Sequence, residues 1–285
     1  MNLFKSVLEF LREIRAPYFA AIALPILLGN AVAWAQHREF DEGLFVMSLL
    51  AGIFLQAGTN MTNDFFDYQR AGDDGPPWTL VPPQQVLQGA LGFFVVGSMV
   101  GVYIALATGP LVLLLGIVGI ASGYLYSVPP FRLSGTGVGE LLAGLNLGLL
   151  TTVGAYYVQV RAVDTLVVWA ALPVALLMAA VLILNGFQPG KLALNRSLWA
   201  RLGAARAGLA YTLPALTAYA LLIVGVAVDK LPQVLLLALL GMPLSAIAIV
   251  SAQSGRLSLA VVSAVGAHLS STALMALAFL IQGFF

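Results

Sequence analysis

Nine long apolar segments dominate the chain and leave it few ways to fold. A helix that crosses the hydrocarbon core of a bilayer needs about 20 consecutive apolar residues. In lipid such a segment must satisfy its backbone hydrogen bonds internally, which favours the α-helix. The candidate spans lie at residues 17–35, 44–62, 86–107, 110–127, 138–160, 165–186, 207–227, 231–251 and 258–284. The pattern predicts an all-α integral membrane protein with a single domain over residues 1–285, because no gap between spans is long enough for a soluble domain.

The composition supports lipid as the main solvent and excludes several classes of function. Hydrophobic residues make up 60% of the chain and charged residues 9%, whereas soluble domains carry about 25% charged residues. A net charge of +1 provides no basic field for nucleic acid. The absence of cysteine from the sequence excludes disulfides, thiolate chemistry and cysteine-ligated metal centres.

Residues 1–16 differ from the segments that follow. Lys5, Glu9 and Arg12 are spaced too evenly to leave the apolar core of a cleavable signal peptide. The apolar residues between them, among them Leu8 and Leu11, fall on one helical face. We therefore expect an amphipathic helix that lies on the membrane surface and leads into the first span.

The basic residues divide unequally between the two sides of a nine-span bundle. With the N-terminus in the cytoplasm, Arg38, Arg161 and Lys230 lie outside, and the other ten of the 13 lysines and arginines lie inside. The inside group is Lys5, Arg12, Arg15, Arg70, Arg132, Lys191, Arg196, Arg201, Arg206 and Arg256. Cytoplasmic loops carry such an excess. The split predicts a multi-pass protein of the cell's inner (plasma) membrane, with its N-terminus inside and its C-terminus outside.

A polar stripe interrupts the end of the second predicted span. It consists of Gln56, Asn60, Asn63, Asp64 and Asp67. Its spacing of i, i+4, i+7 and i+11, with one aspartate beside it, places these side chains on one helical face. Asp73 and Asp74 follow closely. Carboxylate and amide oxygens suit Mg²⁺, which in turn suits a phosphorylated substrate. The alternative is an acidic loop exposed to solvent, but polar groups on an apolar helix are costly and usually functional.

Two further segments carry candidate site residues. After the fourth span, YLYSVPPFRL contains Tyr126 and places Arg132 just beyond the helix end, where its guanidinium suits a phosphate or carboxylate. It is equally typical of a cytoplasmic anchor with interfacial tyrosines. The fifth span is rich in glycine, which favours close helix packing. Glu140 at its start is interpreted as a partner of the helix dipole, and Asn146 within it as a site residue or an interhelical hydrogen bond.

The loop after the sixth span is basic. It contains Asn185, Lys191 and Arg196, and the sequence has no carboxylate between Asp164 and Asp229. The bias of cytoplasmic loops toward positive charge accounts for much of this pattern without a function.

With these residues in view, the chain resembles the UbiA superfamily of intramembrane aromatic prenyltransferases, in particular its menaquinone branch. NDFFDYQRAGDD at residues 63–74 is similar to the first aspartate-rich motif of the family, and residues 126–159 are similar to the menaquinone branch throughout. REIRAPYF and LPILLG near the N-terminus also fit. The resemblance covers about residues 8–206. It implies a UbiA-like fold of about nine transmembrane helices around a central cavity, with a lipid diphosphate and Mg²⁺ at the cytoplasmic mouth.

The resemblance also implies roles for individual residues. Asn63, Asp64, Asp67 and Asp73 match the positions that hold the metal. The catalytic residues would be Asp64, Asp67 and Arg132. The substrate-binding residues would be Asn60, Asn63, Tyr126, Asn146, Asn185, Lys191 and Arg196.

The second motif departs from the family pattern. The segment NGFQPGKLALNRSLWARLG retains Asn185 and Arg201-Leu202-Gly203 but lacks the family's aspartates. We expect Lys191 and Arg196 to supply part of the charge that a second metal ion would provide.

The function implied is transfer of a polyprenyl group from its diphosphate to an aromatic acid such as 1,4-dihydroxy-2-naphthoate. The alternative, favoured by the missing aspartates, is a non-catalytic membrane protein of the same fold that binds isoprenoid or quinone. A transporter is less consistent with the sequence, which has neither an inverted repeat nor paired broken helices.

Overall fold

The computed structural model describes residues 19–71, 82–188 and 198–284. Within these ranges the secondary structure is helical, with no β-strand. The helices are α1 (Ala20–His37), α2 (Glu42–Ala71), α3 (Pro83–Thr108), α4 (Leu111–Ser127), α5 (Val138–Gly144), a π-helical segment (Leu145–Leu150), α6 (Thr151–Val160), α7 (Thr165–Gly186), α8 (Leu198–Leu202), a 3₁₀ turn (Ala204–Arg206), α9 (Ala207–Ala227), a 3₁₀ segment (Gln233–Gly241), α10 (Met242–Gln253) and α11 (Leu257–Gln282).

All nine predicted spans coincide with helical segments of the described chain. Their boundaries differ by a few residues, except that the second span was predicted to end at residue 62 and its helix continues to Ala71. Eight segments are long and apolar enough to cross a membrane. The remaining one, α4, has 17 residues, or about 25 Å of helix. The protein is therefore a multi-pass membrane protein of the predicted fold class. The expected amphipathic helix at 1–16 lies outside the described residues.

Two large apolar clusters form the packed part of the bundle. One joins α1, α6, α7, the 3₁₀ segment 233–241 and α11, and includes Leu28, Val174 and Phe279. The other joins α7, α9, α10 and α11, and includes Tyr211 and Leu184. In contrast, α3 exposes large apolar side chains along its length, among them Leu106 at 84%. Exposed side chains of this kind fit a surface that faces lipid.

Small residues allow two elements to pack in direct backbone contact, as the glycine content predicts. Gly144 and Gly148 face α7, and a Cβ atom at either position would overlap the backbone of Ala175. The spacing of four places both glycines on one face of the helix. As a result, the α5–π–α6 span lies closer to α7 than larger residues would permit.

The π-helical segment places one extra residue in this same span. Its backbone hydrogen bonds join the carbonyl of residue i to the N–H of residue i+5. The Thr151 hydroxyl also donates to the Asn146 carbonyl at 3.0 Å. Such segments are rare and often occur at functional sites, because they shift which side chains face inward. Here Asn146 lies within the π-helical segment.

Polar side chains gather at the two ends of the bundle. One end, called here the motif end, holds the C-terminal part of α2, the loop after α4, the start of α5 and the C-terminus of α7. The opposite end holds the α1–α2, α6–α7 and α9–3₁₀ connections. The alternation follows from antiparallel helices joined by short loops.

Candidate functional site

A polar cavity of about 110 Å³ lies toward the motif end of the bundle. Its lining comes from α2, α4, the α5–π span and α7. The polar members are Gln56, Thr59, Asn60, Asn63, Ser122, Tyr126, Asn146 and Asn185. Within an otherwise apolar bundle, this concentration of uncharged hydrogen-bonding groups identifies the candidate site.

Three members of the polar stripe of α2, Gln56, Asn60 and Asn63, line the cavity from the one helical face that their spacing predicts. The amide nitrogen of Gln56 donates to the side-chain oxygen of Asn60 at 3.0 Å, one turn further along. The hydroxyl of Ser127, at the end of α4, donates to the side-chain oxygen of Asn63 at 3.3 Å. Asn60, Asn63 and Asp67 are each only 8% exposed. These contacts tie the stripe to α4 and hold its amide oxygens in the interior.

A second, larger and mostly apolar cavity of about 190 Å³ adjoins the first. It lies between α1, α2, α3, α4 and α6, and Ile22, Leu55 and Ile120 are among its apolar lining. Gln56, Thr59, Asn146 and Leu147 line both cavities. The two cavities therefore lie side by side, one with a polar lining and one with a mostly apolar lining.

Asn146 occupies the junction of the two cavities. Its amide nitrogen donates to the carbonyl of Gly119 in α4 at 3.3 Å. A side chain at Gly119 would crowd the Asn146 oxygen, since a Cβ there would lie 3.2 Å from it. The π-helical segment and this glycine together place an amide where the polar lining gives way to the apolar lining.

Arg132 follows the end of α4 in a strained backbone conformation. Its φ of 40° lies in the left-handed region, which a non-glycine residue rarely adopts. Its Nε atom is buried and has no hydrogen-bond partner in the described part of the chain. A buried guanidinium donor is costly to leave without a partner, and a phosphate or carboxylate would supply the acceptor. The loop therefore presents a cation at the motif end.

The second motif begins where α7 ends. Asn185 lines the polar cavity from α7. The short helix α8 follows at Leu198–Leu202, and Gly203 closes it with a φ of 76°, which favours glycine. The Arg-Leu-Gly sequence thus marks the C-terminus of α8. Lys191 and Arg196, which we expected to carry charge, lie outside the described residues.

The predicted site residues fall into three groups. Lining the polar cavity together are Asn60, Asn63, Tyr126, Asn146 and Asn185. At the same end of the bundle but outside that lining are Asp64, Asp67 and Arg132. Asp73, Lys191 and Arg196 lie beyond the described ranges. Thr59, Ser122 and Ser127 were not predicted, because single hydroxyl residues in an apolar helix carry no recognisable spacing.

Glu140 has a larger role than the helix-dipole partner that the sequence predicts. It lies at the third position of α5 and accepts a hydrogen bond from the Gly137 backbone N–H at 2.8 Å, which forms the expected helix-start contact. It also accepts from the Trp199 indole nitrogen at 3.2 Å. This contact joins α5 to α8, and no sequence pattern indicated it.

The donor chemistry of the stripe fits a hard divalent cation. Asn60, Asn63, Asp64 and Asp67 offer amide and carboxylate oxygens on one face of α2, the ligands that Mg²⁺ prefers. No group of three histidine, aspartate or glutamate side chains converges within the described ranges. Mg²⁺ commonly binds through one or two carboxylates and completes its coordination with water and substrate phosphate oxygens.

A separate polar cluster lies at the opposite end. The His37 ring Nε2 lies 3.0 Å from the Asp164 carboxylate and 2.9 Å from the Tyr156 hydroxyl, which itself donates to Asp164. The hydrogen bond from Tyr156, and secondarily that from His37, holds the pKa of the Asp164 carboxyl below its usual value. The cluster connects α1, α6 and the start of α7, and it is remote from the motif end.

These features define a multi-pass helical protein whose polar cavity adjoins an apolar one. Residues 22–256 match the model of the UbiA prenyltransferase family, and the chain belongs to that family. Resemblance in sequence therefore predicted the family correctly.

Two curated relatives are similar to it in sequence. The 1,4-dihydroxy-2-naphthoate octaprenyltransferase of Bacillus subtilis (strain 168) is 26% identical over 65% of this chain and 62% of its own length. The 2-carboxy-1,4-naphthoquinone phytyltransferase of Synechocystis sp. is 26% identical over 82% of this chain and 79% of its own length. The match thus spans somewhat less than two thirds of the Bacillus protein.

A solved structure shows the same fold. The UbiA homolog from Archaeoglobus fulgidus bound to GPP and Mg²⁺ superimposes with a TM-score of 0.64, covering 97% of this chain and 98% of that one, at 15% identity. The likeness in structure confirms the predicted arrangement of helices. It also shows that this fold accommodates a prenyl diphosphate with a divalent metal ion in that relative.

Proposed function

We propose that the protein transfers a polyprenyl group from a polyprenyl diphosphate to an aromatic acid such as 1,4-dihydroxy-2-naphthoate, within the inner membrane. The observation that carries the proposal is the junction of a polar and an apolar cavity at Gln56 and Asn146. A prenyl diphosphate has a charged head and an apolar tail, and its reacting carbon lies between them. The junction therefore matches the position at which the bond would break.

The motif end would hold the diphosphate. Asn63, Asp64 and Asp67, with Asp73, would hold Mg²⁺ there, and the ion would supply positive charge to the leaving diphosphate. Arg132 would contribute a fixed guanidinium, and the supporting observation is its buried Nε, which has no hydrogen-bond partner among the described residues. Lys191 and Arg196 would add charge from the second loop.

The apolar cavity would hold the tail and exclude water. The bond between the allylic carbon and the diphosphate oxygen breaks, and its electron pair leaves with the diphosphate. The ring of the acceptor then forms a carbon–carbon bond with the allylic carbon and regains aromaticity by losing a proton or its carboxyl group. Loss of the diphosphate leaves an allylic cation, which water would capture. Side chains such as Leu55 and Ile120 protect it by keeping the cavity dry.

The acceptor would be oriented by uncharged amides. Asn146 and Gln56 lie at the junction, and Asn60, Asn185 and Tyr126 line the polar side. Amide and phenol groups hydrogen-bond to a ring hydroxyl or a carboxylate without adding charge that would compete with the diphosphate. Binding the ring here would place it against the allylic carbon.

The basic second motif supports a second candidate function, which is binding of an isoprenoid or quinone without catalysis. A chain with no carboxylate between Asp164 and Asp229 offers fewer ligands for a second metal ion. Such a protein would bind a prenyl diphosphate or a quinone in the same cavities without turning it over.

A transfer assay in lipid nanodiscs separates the two candidates. Purified protein, Mg²⁺, prenyl diphosphates of several lengths and several aromatic acids are combined, and products are identified by mass spectrometry. We expect a Mg²⁺-dependent prenylated product, which Asp67→Asn abolishes and Asp164→Asn, at the opposite end, leaves unchanged. Saturable diphosphate binding without product from any pair would favour the non-catalytic function.

A further inference from the structure

Glu140 is a buried carboxylate at the motif end to which the proposed function assigns no task. Its side chain is 1% exposed. One oxygen accepts from the Gly135 N–H at 2.7 Å and from the Trp199 indole at 3.2 Å, and the other accepts from the Gly137 N–H at 2.8 Å. Within the described ranges no lysine or arginine pairs with it. Three directed N–H groups therefore satisfy a charge that burial would otherwise make very costly.

The three donors come from two different loops. Gly135 and Gly137 belong to the loop that contains Arg132, called here the arginine loop (residues 128–137). Trp199 belongs to α8, which ends the second-motif segment (residues 187–203). A backbone hydrogen bond from the Leu198 N–H to the Gly135 carbonyl, at 2.7 Å, reinforces the connection.

The indole is itself held firmly against the end of α7. Its ring centroid lies 5.4 Å from that of Phe187, and Trp199 is 4% exposed. Gly186 permits this approach, because a Cβ atom there would lie 2.8 Å from the indole nitrogen. The position of Trp199 is thus fixed relative to Asn185, one residue before this glycine.

The arginine loop needs such an anchor. Gly135 and Gly137 have φ angles of 82° and 84°, in a region that glycine reaches without strain. Two glycines leave a loop many alternative conformations in the absence of tertiary contacts. Glu140 accepts from the N–H of both, and so selects one conformation of the segment that carries Arg132.

We propose that Glu140 is a positioning residue that fixes the arginine loop against α8. Through this contact it would set the distance between the Arg132 loop and the end of α7, and hence the affinity for the diphosphate. The substrate named in this inference rests on the proposed function, whereas the coupling of the two loops does not. A role limited to capping α5 accounts for the Gly137 contact but leaves the Trp199 contact unexplained.

Distance measurement between the two loops tests the coupling directly. Because the chain has no cysteine, Phe131→Cys and Leu198→Cys carry the only spin labels, at positions 60% and 40% exposed. We expect a narrow distribution from double electron–electron resonance in the labelled parent. Glu140→Gln should broaden it, since the amide turns an N–H donor toward a loop N–H that needs an acceptor. Trp199→Phe removes the indole donor while keeping an aromatic ring beside Phe187, and should broaden it partially.

Binding provides the second measurement. Geranyl thiolodiphosphate, which resists cleavage, should bind at least about tenfold more weakly to Glu140→Gln than to the parent, while binding of geraniol stays the same. Asp164→Asn is the matched carboxylate control and should change neither readout.

Distributions as narrow as the parent's in both Glu140→Gln and Trp199→Phe would overturn the inference. Should the first variant not fold, Trp199→Phe still decides it. Broadened distributions in a protein that transfers no prenyl group would support the coupling and refute the proposed function.

Discussion

At the scale of single residues, the described lining of the candidate site contains several amides and no charged side chain. Asn60, Asn63, Asn146 and Asn185 all line one cavity of about 110 Å³. In a low-dielectric interior, a neutral amide can bind substrate without the large desolvation cost of a buried ion. The charged side chains of Asp67 and Arg132 lie at the same end of the bundle but outside the lining of this cavity.

Asn146 offers a test of acceptor binding. Asn146→Leu keeps a similar volume but removes the amide at the junction of the cavities. We expect the KM for the aromatic acceptor to rise by about tenfold, the usual effect of leaving a bound polar group without its partner, while the KM for the prenyl diphosphate changes little. Steady-state kinetics with each substrate varied in turn makes the measurement. Equal changes in both constants would contradict a role in acceptor binding.

At the scale of elements, close packing of the α5–π–α6 span against α7 places the site residues of both. Gly144 and Gly148 allow the backbones to touch, and the π-helical segment begins directly after Gly144. The position of Asn146 at the cavity junction therefore depends on residues that have no polar chemistry of their own.

Gly148→Ala tests this packing. A Cβ atom would overlap the backbone of Ala175, so the helices must separate, and we expect a loss of about 1–3 kcal/mol in stability. Gly92→Ala in α3 is the matched control, because nothing lies within 4 Å of a Cβ there. Thermal unfolding in detergent should show a lower midpoint only for Gly148→Ala. A shift of the same size in both variants would argue against the contact.

The polar cluster at the opposite end predicts a dependence of stability on pH. Asp164 has a pKa lowered from its ordinary value of 3.8 by hydrogen bonds from Tyr156 and His37. Its contribution to the free energy of unfolding is therefore fully present above pH 3.8. That contribution is lost as the pH falls through the lower pKa of the folded state. Asp164→Asn should flatten the fall of the unfolding midpoint over that acidic range. The effect should be small, because the side chain is 39% exposed. An unchanged acidic profile in the variant would contradict this reading.

At the scale of the whole molecule, the structure has two chemically distinct ends. The motif end carries the stripe aspartates, Arg132 and Glu140, and the opposite end carries the His37–Tyr156–Asp164 cluster. Of the 13 lysines and arginines, ten are predicted on the inside and three on the outside of the membrane. This excess predicts that the motif end faces the cytoplasm.

Single-cysteine labelling tests this orientation. Gln69→Cys, in the last turns of α2, and Val163→Cys, after α6, are two separate variants with an exposed cysteine at opposite ends of the bundle. A membrane-impermeant maleimide added to intact cells should label the cysteine at 163 and spare the one at 69. After the membrane is made permeable, both should react. Labelling of position 69 from outside would reverse the proposed topology.

Much of the fold follows from the sequence, because membrane insertion depends on local properties. Each span needs only sufficient length and hydrophobicity, and both are visible in the chain. The helical spacing of the stripe likewise predicted that Asn60 and Asn63 share one helical face, and in the structure both line the polar cavity. The predicted roles of the aspartates, Arg132 and the basic loop remain predictions.

The tertiary structure decided what no local pattern contains. Asn146 could have faced a neighbouring helix or a cavity, and its register depends on a π-helical segment that has no sequence signature. The meeting of polar and apolar cavities requires four or more helices in place at once. Glu140 and Trp199 are 59 residues apart in sequence. Their contact exists only because α5 and the end of α7 pack at the same end of the bundle, which hydrophobic spacing along the chain does not encode.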